Sequence, residues 1–163
     1  RAELDRIASL HRVGSWKVRA TFSQSGTVTA AAQELASTIR AQKVRFAASP
    51  IDREDPFLFN KTTNRRAYDE RLAQAPEADD VILWNEDGEV TESSIANIVV
   101  ELDGQLYTPP RASGLLAGVL REELLHRGIV RERVITKNEL AEAGSFFLVN
   151  SVRGWSRADL IDH

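Results

Sequence analysis

The chain contains no cysteine, which excludes disulfides and thiolate chemistry and removes any compositional hint of secretion. It has no apolar run near the roughly 20 residues that a membrane-spanning helix needs. Its opening stretch, RAELDRIASLHRVG, lacks the apolar core of a signal peptide, so a cytoplasmic address is expected. There is little net charge: 21 Lys and Arg residues stand against 24 Asp and Glu, for a net −3. The basic residues are dispersed, so neither nucleic acid nor a membrane is an expected partner and a small molecule is. Internal repeats and low-complexity segments are absent as well.

What is present describes a soluble globular domain. At 163 residues, with 42% hydrophobic and 28% charged residues, the chain is long enough to bury roughly 70% of its unfolded surface. Leu4, Ile7, Ala8 and Leu10 fall on one face of a helix over about 2–12, and the chain opens at Arg1 inside that pattern. WKVRATF (16–22) alternates as a strand and turns at SQSG into TVTAAAQ; KVRFAAS (43–49) is another strand. Pro50 and Pro56 bracket an acidic loop, and a domain boundary or hinge is placed between about 35 and 56. FLF (57–59) reads as a short strand-like run, followed by a helix with Thr62, Thr63 and Asn64 as candidate caps and Ala67, Leu72 and Ala73 in phase. Two Asp-Gly pairs, at 87–88 and 103–104, interrupt apolar runs and predict an antiparallel meander. SGLLAGVLREELLHRG reads as one helix with Leu116, Leu120, Leu124 and Leu125 on a face and Gly128 closing it. A strand (VRERVIT), a short helix (KNELAEAG) and a last buried strand (SFFLVNSV) complete a mixed α/β, α+β, chain.

Four places carry chemistry: Lys61 after the FLF run, Glu92 in VTESSIANI, the glycine-containing entry SGLLAG into a helix, and Asn150-Ser151 at a strand end. Taken singly each is ordinary, because a lone lysine is usually a surface charge and an Asn-Ser pair usually a turn cap. Together they supply an amine, a carboxylate and a nest of backbone N–H groups at a helix start, which is a phosphate site. Those are the parts that pyridoxal phosphate requires: an amine for covalent attachment, a carboxylate that keeps the pyridine nitrogen protonated, and amides for the phosphate.

The runs FLFNKTTNRRAYDE, GEVTESSIANIVV, LYTPPRASGLLAGVLREELL and FFLVNSVRG resemble the class IV (fold type IV) pyridoxal-phosphate enzymes, a group of branched-chain and D-amino-acid aminotransferases and 4-amino-4-deoxychorismate lyases. KTTNR together with NSVRG is most similar to the lyase branch, including forms fused to the aminodeoxychorismate synthase subunit. The resemblance covers about residues 43–155. It implies a D-amino-acid aminotransferase-like fold in which residues 43–163 form a cofactor-binding C-terminal domain, with a mixed sheet or pseudo-barrel and flanking helices. Residues 1–42 then correspond to the tail of a smaller N-terminal domain and its linker.

Carried over residue by residue, the resemblance gives Lys61 the covalent attachment and proton transfer, in a desolvated site, and Glu92 the pyridine nitrogen. Gly118, Val119 and Leu120 fall on the phosphate-binding helix start, Ser151 on a further phosphate contact, and Asn97 on a polar residue that orients the strand or ring. Arg153 is either a partner for a substrate carboxylate or a solvated loop arginine, and Asn64 and Arg65 are capping and salt-bridge residues. Ala117 departs from the family's GLLPG, where a proline is usual. The implied activity is release of pyruvate and 4-aminobenzoate from aminodeoxychorismate by a cytoplasmic homodimer, with no metal. The alternatives are a class IV aminotransferase and a non-catalytic remnant that keeps the fold as an interaction domain.

Overall fold

Helix, strand, turn and strand follow one another at the N-terminal end in the order that the apolar spacing predicts. In the computed structural model, which describes residues 2–35 and 40–161, α1 spans Ala2–Leu10 and buries Ile7. β1 (Trp16–Phe22) and β2 (Val28–Glu34) pair antiparallel in unbroken register from Trp16 opposite Glu34 to Phe22 opposite Val28. The Trp16 indole N–H donates to Val13 O at 2.8 Å and the ring packs on His11. These elements form one compact unit, residues 1–39, and residues 40–163 form a second. Residues 36–39, which belong to the expected linker, lie outside the described residues.

The second unit is built on β3 (Gln42–Phe46), β4 (Asp80–Trp84), β5 (Val90–Ser93), β6 (Asn97–Leu102), β7 (Gln105–Thr108), β8 (Arg131–Glu132), β9 (Ser145–Asn150) and β10 (Gly154–Leu160). The sheet order is β5-β4-β3-β10-β9-β6-β7-β8, and β5 also pairs with β6. Six strands therefore close into a barrel, with β7 and β8 as an extension. β3 runs parallel to both its neighbours, β4 and β10, while β4–β5, β5–β6, β6–β9 and β9–β10 are antiparallel, so the sheet is mixed as expected. The closing contact is slight, a single registered pair, Glu92 opposite Asn97.

Strand alternation sorts the apolar residues onto the two barrel faces. Val44, Ile82, Val90, Ile98, Val100, Phe146, Leu148 and Ala158, drawn from all six barrel strands, pack into one cluster with Ile135 and Leu140. Leu140 belongs to α4 (Lys137–Ala143), which Thr136 and Glu139 start with a reciprocal capping box. On the outer face, Val81 and Leu83 meet Leu58, Tyr68 and Ala75, Tyr68 being the buried residue of α2 (Arg66–Leu72). Val99 and Val149 meet Leu124 of α3 (Val119–His126) and Val130. Each fully buried Val, Leu or Ile side chain stabilises by roughly 1.5–3 kcal/mol relative to exposure. Among the described residues no helix is long and apolar enough to cross a membrane.

Three elements differ from the sequence expectation. FLF forms turns rather than a strand, because the Asp55 carboxylate accepts from Phe57 N at 2.9 Å and Asn60 Nδ2 donates to Pro56 O at 2.8 Å, which folds the run on itself. The helix predicted from Ser113 starts only at Val119. Arg111–Ser113 is a 3-10 turn, Gly114 closes it at φ +95°, and residues 115–118 run irregularly. SFFLVN is not the last strand, since GWSRADL pairs on both its edges as β10, with β9 and with β3.

Candidate active site

Glu92 comes near the end of a strand whose residues are all buried, and with only 5% of its surface exposed it is a carboxylate inside the protein. Its Oε1 accepts from Tyr68 OH at 2.8 Å and from Leu116 N at 3.0 Å; Oε2 accepts from Asn97 Nδ2 at 3.4 Å. Among the described residues it makes no ion pair. Burial pushes its pKa up to about 8 against the donated hydrogen bonds of Leu116 and Tyr68 and the charges of Lys61 and Arg65, which lower it. Burial therefore works against the ionised form of Glu92 in the protein alone. A cationic N–H donor reaching it would favour the ionised form.

Asn97 links that carboxylate to the start of α3. Its Nδ2 donates to Leu116 O at 2.8 Å and its Oδ1 accepts from Gly118 N at 3.1 Å, so one buried amide fixes both ends of the 116–118 segment. The other end of the irregular stretch is tied to the β4–β5 hairpin: Asn85 Nδ2 donates to Ser113 O at 3.0 Å and Ser113 Oγ to Glu89 at 2.8 Å. Gly114 is required there twice over, by its positive φ and because a Cβ would stand 2.9 Å from the Arg53 backbone. At the helix start Gly118 is the N-cap and provides no side-chain cap, and Val119 is 78% exposed. The first-turn N–H groups have no acceptor within the helix, which makes such a start favourable to an anion. Arg121, 1% exposed, fastens the helix from below, donating to Pro109 O at 2.8 Å and pairing with Glu132 at 2.5 Å.

The structure thus gathers Glu92, Asn97 and Gly118 into one hydrogen-bonded cluster. Lys61 and Ser151 stand outside it. Lys61 is exposed on the loop between the FLF turns and α2, so it does not occupy the strand end or the desolvated setting expected of it, although its charge acts on Glu92. Ser151 and Arg153 lie in the exposed turn between β9 and β10. Asn150 shapes that turn by accepting from Val152 N and Arg153 N at 3.0 and 2.9 Å, and its Nδ2 reaches Ile95 O at 3.4 Å, beside the β5–β6 turn. Leu120 packs beside Leu124 and Val149, and its backbone follows Val119 in the first turn. Arg65 pairs with Asp69 at 3.4 Å, the salt bridge expected there, but the N-cap of α2 is Arg65 without a side-chain cap. Asn64, one residue earlier, only accepts from Arg66 N at 3.4 Å, because the helix starts later than the capping expectation placed it. Sequence reasoning missed Tyr68, the Leu116 N–H and Arg121. Only Tyr68 left a signal, as the one phenol on the apolar face of a helix, with Leu72 four residues on.

The sequence matches the family Amino-transferase class IV over residues 6–161, and the chain belongs to that family. A Schizosaccharomyces pombe protein named "Putative aminodeoxychorismate lyase" is 36% identical over 115 residues, covering 66% of this chain and 50% of that protein. A Thermotoga maritima protein named "Probable branched-chain-amino-acid aminotransferase" is 38% identical over 80 residues, 46% of this chain and 29% of its own. The chain therefore spans half or less of the length of these two relatives. Among solved structures, a "Putative amino-acid aminotransferase" from Mesorhizobium loti superposes with a TM-score of 0.88 at 31% identity, over 98% of this chain and 80% of that one.

Members of this family depend on pyridoxal phosphate. The residues present suit that group: a buried carboxylate with acceptor capacity left on one oxygen suits a protonated ring nitrogen, and an uncapped helix start suits a phosphate.

Proposed function

We propose that this chain carries the cofactor site of a lyase that converts 4-amino-4-deoxychorismate to 4-aminobenzoate and pyruvate. The observation that supports the lyase is the 36% identity over 115 residues to the S. pombe protein of that name, in a chain that also holds KTTNR and NSVRG. Pyridoxal phosphate, when bound, supplies an electron sink for the substrate's bonding electrons. In this reading Glu92 holds the proton on the ring nitrogen, and Asn97 keeps Glu92 and the α3 start in register. The N–H groups at Val119 and Leu120 hold the phosphate beside Gly118, whose own N–H is taken by Asn97 and whose lack of a side chain leaves the approach open, with the Ser151 hydroxyl as a further donor. Lys61 carries the covalent attachment. As a free amine its Nζ takes a proton from the substrate ring carbon and returns one to the methylene carbon of the departing enolpyruvyl group. The net change breaks one C–O bond and moves one proton from ring to pyruvate, so no oxidant is consumed. Arg153 serves a substrate carboxylate. Residues 1–42 act as the tail of a smaller domain and 43–163 as the cofactor domain of a cytoplasmic homodimer, which a synthase partner, fused or separate, would supply with substrate.

A second reading, a class IV aminotransferase acting on branched-chain or D-amino acids, is favoured as an aminotransferase by the 31% identity to the M. loti structure across 98% of this chain, and for branched-chain substrates by the T. maritima relative of that name. It uses the same cofactor residues and differs in the substrate wall. Assay of the full-length protein separates the two: pyruvate and 4-aminobenzoate appearing together support the lyase, and glutamate-dependent amino transfer without them overturns it. Borohydride treatment with pyridoxal phosphate followed by peptide mapping tests the lysine. The label is expected on Lys61 and is expected to vanish in Lys61→Ala, with the melting temperature unchanged because the side chain is exposed. A label that persists elsewhere in the variant removes Lys61 from its role.

A further inference from the structure

Tyr68 lies in the run FLFNKTTNRRAYDE but has no role assigned to it there, yet its hydroxyl touches the central carboxylate. It projects from α2, is 7% exposed, and donates to Glu92 Oε1 at 2.8 Å. Leu116 N meets the same oxygen at 3.0 Å. An oxygen with two lone-pair sites is then fully engaged. Oε2 accepts only the long 3.4 Å contact from Asn97. The two oxygens of Glu92 are therefore not equivalent, one being anchored and the other left with acceptor capacity. The anchor is itself held, because the Arg65 guanidinium lies 4.9 Å from the centroid of the Tyr68 ring and donates to Ser94 O at 2.8 Å, which ties α2 to the turn that follows β5.

We infer that Tyr68 is a positioning residue that holds Glu92 by Oε1 and so leaves Oε2 to meet the proton of the cofactor's ring nitrogen. The inference rests on the reading of Glu92 as the partner of that nitrogen. A phenol suits the task better than a cation would. Burial and the neighbouring Glu92 carboxylate push the Tyr68 pKa up, so it stays a neutral donor across the working range. A lysine or arginine in its place would neutralise Glu92 and compete with the ring nitrogen for it.

Tyr68→Phe removes the hydroxyl and leaves the packing. In the full-length protein the dissociation constants are measured for pyridoxal phosphate and for its 1-deaza analogue, in which CH replaces the ring nitrogen. The variant is expected to weaken pyridoxal phosphate by roughly tenfold or more, the loss of a hydrogen bond to a charged group, and to leave the analogue within about twofold, the scatter of a neutral change. Nitrogen-15 NMR of ring-labelled cofactor should show the bound ring nitrogen losing its proton about one pH unit lower in the variant, the same tenfold in another readout. Equal losses for both ligands would mean that Tyr68 only packs the site, and no loss for either would remove it altogether; each overturns the inference. Tyr68→Leu, which fills the pocket without a hydroxyl, must give the same split and serves if the first variant does not fold. The wild-type protein separates the two levels of argument. If it binds both ligands equally, the reading of Glu92 falls and this inference with it; if it discriminates and Tyr68→Phe does not reduce the discrimination, only the inference falls.

Discussion

Replacing Gly118 by alanine tests how the site is built. Gly118 sits at φ −74° and ψ 146°, a conformation open to any L-residue, so the substitution carries no backbone penalty. The obstacle is space: a Cβ would stand well inside van der Waals range of Asn97 Oδ1 and 3.5 Å from its Cγ. Asn97 is buried. It cannot swing clear without giving up the bond from Gly118 N at 3.1 Å and its own bond to Leu116 O at 2.8 Å. At roughly 0.5–1.5 kcal/mol for each bond, and ~1–3 kcal/mol for a buried amide left unsatisfied, the cost comes to about 2–6 kcal/mol. Urea denaturation of the cofactor-free protein reads this as a lower midpoint at unchanged slope. Repeating the substitution in an Asn97→Ala background isolates the cause. With the amide gone, the added methyl should cost less than about 0.5 kcal/mol, leaving the difference as coupling between the two positions. Equal destabilisation in both backgrounds, or none in either, would refute the argument that Asn97 is a fixed strut and that glycine is needed to admit it.

Two further outcomes follow from the same geometry. Because the Glu92 pKa is raised from 4.5 to about 8 in the folded protein, the unfolded chain releases this proton first. The stability it contributes is complete below about pH 4.5 and is lost as pH rises towards 8, by on the order of 4 kcal/mol. Glu92→Gln should flatten that limb of the pH–stability curve for the cofactor-free protein, and an unchanged limb would show that the burial of Glu92 is not its source. Thr136→Ala removes half of the capping box on α4 and should lower stability by about 1 kcal/mol in denaturant without altering cofactor affinity.

Much of the fold was legible wherever one element's own pattern decides its structure. Trp16–Phe22 alternates and is the strand it reads as; Asp103 and Gly104 take positive φ values of 52° and 74° in the turn that Asp-Gly announces; Gly128, at φ 67°, ends α3 where predicted. The failures fall where partners decide. GWSRADL mixes glycine, serine and two charges, and only its Ala158 is fully buried. It is a strand because β9 and β3 pair with its two edges, and no local pattern carries that. FLF has strand-like residues but the Asp55 and Asn60 side chains bend its backbone into turns. For the site, the motifs marked Lys61, Glu92, the SGLLAG entry and Asn150-Ser151 as a group, with Asn97 added by the resemblance; the structure joins Glu92, Asn97 and Gly118 by hydrogen bonds and leaves Lys61 and Ser151 outside that cluster. What the motifs did not convey is that the connection runs through a side-chain amide and a main-chain N–H, neither of which has a spacing of its own.

The ring of strands is closed at one point, where Glu92 faces Asn97, before β5 turns to β4 and β6 to β7 and β9. The seam of the barrel and the centre of the candidate site are thus the same two residues. A ligand held at that point acts as a clasp on the hoop as well as an occupant of the site, and a substitution there cannot change one without the other.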